Sequence, residues 1–285
     1  MVLAITQKQV TVRLAQNKDR HQLANLLHFG SWVHRHLDWR PPLDWIGYQP
    51  YIVAERKGRL LAALACPPDP PEVAWIRLFA VESDMTIGEA WDYLWPVARE
   101  YLWGVTVAAI PLQGWFSQLL ATAQFSETHQ VVMLRWENHM ELPESASADC
   151  IIRLMNYEDL SAVKELDASA FGPIWQQSRD MLETAFQQAA AATVAEDDDG
   201  LIGYQISTAG QGGGHLARLA VHPRVQEHGV GYALVRDLLA QFSRRGVSQV
   251  TVNTQVNNEA SLALYHKAGF KATGEVFPVY ENYLD

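Results

Sequence analysis

Two glycines, Gly229 and Gly231, separate the apolar run HLARLAV (215–221) from the amphipathic stretch GYALVRDLLAQFSRR (231–245). Glycine lets backbone N–H groups approach a ligand closely, and a helix N-terminus carries partial positive charge. A strand, a glycine loop and a helix in that order can therefore cradle a pyrophosphate. A bare glycine pair equally suits a loop that only needs positive φ. Two other nucleotide patterns do not apply. The dinucleotide fingerprint wants a third glycine where Leu234 stands, in a turn straight after its strand, and here residues 222–228 intervene. The GxxxxGK[ST] phosphate loop is absent from the sequence.

The elements that would position the loop follow from hydrophobic spacing. Leu234, Leu238 and Phe242 recur at i, i+4 and i+8, so the stretch after Gly231 is a helix with one buried face. Arg244 and Arg245 suit its negative end, and Gly246 its C′ position. Around it, IIRLM, ATVAE, LIGYQIST, HLARLAV and SQVTVNTQV read as strands. YEDLSAVKELDASAF, QSRDMLETAFQQAAA and EASLALYHKAG read as helices, and two short strands, around FKATGEV and PVYENYL, close the chain. DDDG marks a turn between two of the strands. The fold class is α/β with a central sheet.

This order occurs twice. VRLAQNKDRHQLANLL (12–27) matches IRLMNYEDLSAVKELD (152–167), with Arg13 against Arg153 and Asp19 against Asp159, an offset of 140 residues. YIVAERKGRLLAAL (51–64) matches ATVAEDDDGLIGYQ (192–205), and RLFAV ending at Val81 matches ARLAV ending at Val221. AQF ending at Phe125 matches AGF ending at Phe270. So long a period means two copies of one domain rather than a solenoid. The expected divisions are 1–140, a Pro- and Ser-bearing linker at 141–150, and 151–285. Both copies are expected to share the same coarse element order.

Gln226-x-x-Gly229-x-Gly231, placed after a strand ending Val221-x-Pro223, resembles the acetyl-CoA loop of the GNAT family of N-acetyltransferases. NNEASLALYHKAGF (257–270) is similar to that family's next motif, with Asn258 and Tyr265 seven residues apart and so on one helix face. IRLMNYEDLSAVKELDASAF is similar to its opening strand and helix, and the resemblance covers nearly all of 151–285. It implies two tandem GNAT-like domains, each a mixed, mostly antiparallel sheet flanked by helices. It implies acetyl-CoA as acetyl donor, no metal, and a strand splayed from its neighbour. Leu219, Ala220 and Val221 would bond the pantetheine arm through their backbone. Gln226, Glu227, His228, Gly229, Val230 and Gly231 would hold the pyrophosphate, and Asn258 would bond the cofactor near the pantetheine. Asn258 could instead be a plain N-cap. Tyr265 would protonate the departing CoA thiolate, with a half-buried packing tyrosine as the alternative. The general base is not legible: His222 reads as structural and Glu196 as solvated.

The first copy keeps the scaffold without these motifs. After Val81 it reads ESDMTIGEAWDYL, with Glu82, Asp84 and Glu89 where phosphate would sit, and Leu120 stands in the place of the phenol. It is expected to be a degenerate copy that does not bind CoA in the usual way. Nine tryptophans, at 32, 39, 45, 75, 91, 95, 103, 115 and 136, lie in this half. They read as packing, with an aromatic acceptor pocket as the sharper alternative. His34, His36 and Asp38 do not share a helix face and so do not suggest a metal site.

Composition bounds the rest. A net charge of −10 argues against a nucleic-acid partner. No stretch approaches a membrane span, and the N-terminal MVLAITQKQVTVRL lacks a signal-peptide core. Cys66 and Cys150 read as buried thiols of a reducing compartment, so a cytoplasmic location is expected. The expected activity is acetyl transfer from acetyl-CoA to a primary amine of a small molecule, by a chain compatible with a homodimer. Acetylation of a protein N-terminus or lysine and a non-catalytic acyl-CoA sensor are the alternatives.

Overall fold

The computed structural model describes residues 10–138 and 149–285. The first half runs β1 (Thr11–Leu14), α1 (Arg20–Phe29), β2 (Trp32–Arg35), β3 (Tyr51–Arg56), β4 (Arg59–Ala65), β5 (Val73–Trp75) and β6 (Leu78–Val81). It continues with α2 (Ile87–Arg99), β7 (Val105–Ala109), α3 (Gly114–Thr122) and β8 (Ser126–Glu137). The second half runs β9 (Ile151–Leu154), α4 (Leu160–Ala170), α5 (Arg179–Gln188), β10 (Ala191–Asp197), β11 (Gly200–Gly210) and β12 (Gly213–Val221). It ends with α6 (Val230–Arg244), β13 (Gln249–Gln255), α7 (Glu259–Lys267) and β14 (Lys271–Leu284).

The chain forms two units, 1–128 with 279–285, and 129–278. The division differs from the one expected at 141–150, and residues 141–148 of that segment lie outside the described residues. The cause is an exchange of strand ends. β8 leaves unit 1 at Thr128, and its residues 131–137 pair antiparallel with β13 in unit 2. β14 enters unit 1 at Val279, and its residues 280–284 pair antiparallel with β7 there. β14 is thus one strand of 14 residues, not two short ones. Trp136, expected among the aromatics of the first half, accordingly packs in the core of unit 2.

Unit 1 contains a sheet in the order β1-β3-β4-β6-β2 and the strands β5-β7 with the end of β14. Its core gathers Trp91, Leu94 and Trp95 of α2 with Phe79, Phe116 and Phe125. Unit 2 contains β8-β13-β12-β11-β10-β9, antiparallel except for the β12–β13 pair. The spaced apolar face of α6, through Val235, Leu238 and Phe242, packs with Leu216, Val250 and Val252 of these strands. Gly246 takes φ +72 after α6, as its C′ reading requires.

The internal repeat is visible atom by atom. Arg13 bonds Asp19 at 2.7 Å and Glu55 at 2.6 Å, while Arg153 bonds Asp159 at 2.7 Å and Glu196 at 2.9 Å. Glu196 is therefore paired and not merely solvated. In both copies the aspartate also accepts from a backbone N–H three residues earlier, at 2.8 Å. A bulge falls at Ala54/Glu55 in one copy and at Ala195/Glu196 in the other.

The copies part company after their first helix. Where unit 2 forms α5, unit 1 forms β2, an edge strand on β6. WVHR carries β-formers and precedes Pro41-Pro42, whereas the unit 2 segment has helical spacing and a Ser178 N-cap. His34 lies on this strand rather than on a helix, and Asp38 is taken by Arg77. Among the described residues no three metal-ligating side chains come together, and no helix is long and apolar enough to cross a membrane. Cys66 is buried, but Cys150 is only partly so.

The hydrogen bond from Arg13 holds the Asp19 carboxyl below the usual carboxylate range. A depressed folded pKa adds stability above the unfolded value, about 3.9, and that stability is lost as pH falls through the folded value. Asp19→Asn should therefore lower the urea midpoint at pH 7, and the gap to wild type should narrow below about pH 4. An equal gap at pH 7 and pH 3 would exclude a role for the charged form.

Candidate functional site

β12 and β13 run side by side for only three residues, Gly214–Leu216 against Val250–Val252. Glycine permits the close end. A Cβ on Gly214 would stand 2.5 Å from Phe242, and one on Gly213 2.7 Å from the Gln249 carbonyl. A bulge opens the other end. Arg218 pairs with Ile206 and Leu216 with Ser207, so Ala217 is the extra residue. Bulges bend and twist a strand, and beyond this one β12 continues to Val221 with no strand partner on the β13 side among the described residues.

The alternation of peptide groups along β12 says what that open edge presents. The His222 N–H donates to the Ile202 carbonyl at 2.8 Å, towards β11. Peptide groups two residues apart face the same way in a strand. Ala220 therefore faces β11 as well, while Leu219 and Val221 face the opening.

The loop from 222 to 229 is built by local bonds. His222 Nδ1 accepts from the Arg224 N–H at 3.2 Å, which matches a structural role. The Gln226 amide donates to the Val221 carbonyl at 3.2 Å, and His228 Nδ1 lies 2.7 Å from the Gln226 carbonyl. Glu227 (φ +66) and Gly229 (φ +85) are both left-handed. For glutamate that is an uncommon conformation, held only because the surrounding bonds impose it. Gly229 is the N-cap of α6 and has no side chain to close the helix, and the first turn holds no acid. The N–H groups of that turn are left for a ligand or water, at the positive end of a 15-residue helix. Val230 differs: its side chain is buried against Ile202 and Leu234.

The matching helix of unit 1 is capped by side chains. Thr86 caps α2 by accepting from the Glu89 N–H at 3.2 Å, and the Glu89 carboxylate accepts from the Thr86 N–H at 2.9 Å. Glu82 and Asp84 are bound by Arg59 at 3.3 and 3.0 Å, so they are not free acids.

α7 brings Asn258 and Tyr265 to the site. Asn258 is the helix N-cap, accepting from the Ser261 N–H at 3.0 Å, and its amide nitrogen lies 3.3 Å from Gln255 Oε1. The capping use is therefore present, and it commits the side-chain oxygen. Tyr265 is buried rather than half-buried, at 4 % exposure, tilted against Phe270 at 5.7 Å. It belongs to the same apolar cluster as Leu216 and Leu219. Among the described residues its hydroxyl has no hydrogen-bond partner, and burial pushes the phenol above its usual range, so it stays protonated. Leu264, its neighbour, approaches the Cβ position of Gly231 within 3.4 Å, as does Val221. β12, the loop and α7 thus meet at one point.

One constellation was not expected from the sequence. Asp167 is fully buried; it accepts from the Tyr204 hydroxyl and from Arg218 Nε at 2.8 Å. Arg218 also donates to the Trp175 carbonyl at 2.6 Å and lies 3.7 Å over the Phe171 ring. These residues come from α4, β11, β12 and the turn before α5, and no local spacing links them. The only sequence signal is a charged residue within the otherwise apolar strand HLARLAV.

Residues 160–270 match the model of the acetyltransferase (GNAT) family. N-acetyltransferase family 8 member 3 of Mus musculus is 38% identical over 69 residues, 24% of this chain and 30% of that protein. The chain thus spans less than a third of that relative's length. An uncharacterized N-acetyltransferase of Methanocaldococcus jannaschii is 28% identical over 122 residues, 42% of this chain and 78% of that protein. In fold, a tandem GNAT protein from the clavulanic acid biosynthesis pathway superposes with a TM-score of 0.63 at 16% identity, covering 96% of this chain and 98% of that one.

The conformation of Gly229 gives a direct check on the loop. A Cβ in the left-handed region costs about 1–2 kcal/mol, and asparagine tolerates it better. Gly229→Ala should lower stability in urea by about that amount, and Gly229→Asn by less. Equal stability for glycine and alanine would mean that the position is not left-handed in solution.

Proposed function

We propose that unit 2 is an N-acetyltransferase that carries acetyl from acetyl-CoA to a primary amine of a small molecule. The observation that carries this reading is the open edge of β12 ending at an uncapped helix N-terminus. The residues fit the cofactor. Leu219 and Val221 offer backbone groups to the amides of a pantetheine arm. The N–H groups from Gly229 to Gly231 offer an anion site with no competing acid. Gln226, Glu227 and His228 are exposed along the same loop. Asn258 retains one amide hydrogen for the arm.

Bound acetyl-CoA supplies the thioester carbon that the neutral amine attacks. The new C–N bond forms as the C–S bond breaks. Tyr265 gives its phenolic proton to the departing sulfur and is reprotonated from solvent, and the amine loses its surplus proton to water. The Tyr265 hydroxyl, protonated and without a protein partner among the described residues, is available for this role. Asp167 is not offered as a base, because Arg218 and Tyr204 occupy its Oδ2 and the Gln177 N–H its Oδ1.

Tyr265→Phe keeps the ring and its packing and removes only the proton. In a panel of amines assayed by thiol release, turnover should fall by ~10²–10⁴-fold. Acetyl-CoA affinity and Tm should stay near wild type, since the hydroxyl bonds no protein group among the described residues. Wild-type turnover on a confirmed amine would remove Tyr265 from the mechanism. Loss of acetyl-CoA binding in the folded variant would make it a positioning residue.

A further inference from the structure

The edge that unit 2 leaves open is closed in unit 1. At the repeat offset of 140, Leu78–Val81 of β6 correspond to Arg218–Val221 of β12. The peptide groups correspond too. The Glu82 N–H donates to the Leu61 carbonyl at 2.8 Å, just as His222 donates to Ile202. By the same alternation Phe79 and Val81 face outward, as Leu219 and Val221 do. In unit 1, however, β2 lies on them: His34 opposes Phe79 and Trp32 opposes Val81. The pairing continues with the His36 N–H donating to the Arg77 carbonyl at 3.0 Å.

β2 is anchored by its side chains. His34 is 4 % exposed, stacks on Phe116 at 4.0 Å and donates from Nε2 to the Ile76 carbonyl at 3.1 Å. Burial lowers its pKa to about 4, so it is neutral and keeps the aliphatic and aromatic wall uncharged. His36 stacks on Trp75 at 4.8 Å, and Trp32 meets Trp115 edge-on at 5.5 Å. Just beyond, Asp38 and Arg77 form a buried ion pair.

We propose that β2 is a built-in occupant of the slot in unit 1, making with its own backbone the edge bonds that an amide-bearing arm would make. A tethered strand competes at a high effective concentration, which a dilute ligand does not match. The capped N-terminus of α2 removes the anion site at the end of the same slot. The chain therefore takes one CoA, a count that rests on the function proposed for unit 2, whereas the occupancy of unit 1 does not.

Residue-resolved amide exchange on the full chain, with and without acetyl-CoA, tests both parts separately. Phe79, Val81, His34 and His36 should be protected in the free chain and unchanged by acetyl-CoA. The amides of Leu219, Val221 and Gly229–Gly231 should exchange readily and gain protection on binding. Free exchange at Phe79 and Val81, or protection gained there with acetyl-CoA, would overturn the proposal. Protection at Phe79 and Val81 without any gain at Leu219–Gly231 would uphold it and overturn the reading of unit 2.

Discussion

β12 has two edges, and its partner on one of them stops at Leu216. Backbone N–H and C=O groups demand partners, and an open strand edge invites pairing with whatever extended chain arrives. Much of the site follows from that divergence. It needs glycine at 213 and 214 for the close end, a bulge at Ala217 for the turn away, and a loop that brings a helix N-terminus to the exit. Unit 1 meets the same demand internally with β2. The same scaffold thus yields one open slot and one filled one, and the difference lies in the segments 30–50 and 171–190 that follow the first helix of each copy.

The rest of the repeat is held to a tight standard. The Arg–Asp–Glu cluster, the backbone bond to the aspartate and the bulge at the glutamate recur in both copies. In each copy these groups tie the first strand to the turn before its helix. The exchange of strand ends through β8 and β14 gives each unit a strand that the other half of the sequence supplies. Unit 1 is then built from two stretches of chain, and a truncation at residue 140 would remove a strand from both units.

Local patterns were legible in the sequence. Leu234, Leu238 and Phe242 specify the face of α6, Gly246 its end, and the Gln226–Gly231 spacing the loop. Pairing beyond the local range was not. Whether WVHR becomes a strand depends on the edge of β6, some 45 residues away, and β-formers alone do not announce a partner. The parity that turns Ala220 away from the opening depends on register, which is invisible until β11 is in place. Asp167, Tyr204 and Arg218 meet only through the fold, and Asn258 gives the same signal as a cap and as a ligand. The boundary at 141–150 was read from composition, which carries no information about strand exchange.

A crystal structure of the full chain with acetyl-CoA bears most directly on the central claim, that the open edge of β12 is the cofactor slot. A single bound molecule is expected, its pantetheine amides paired with the backbone of Leu219 and Val221 and its pyrophosphate at the N–H groups of Gly229–Gly231. Acetyl-CoA seated elsewhere, or along β6 with β2 displaced, would contradict it.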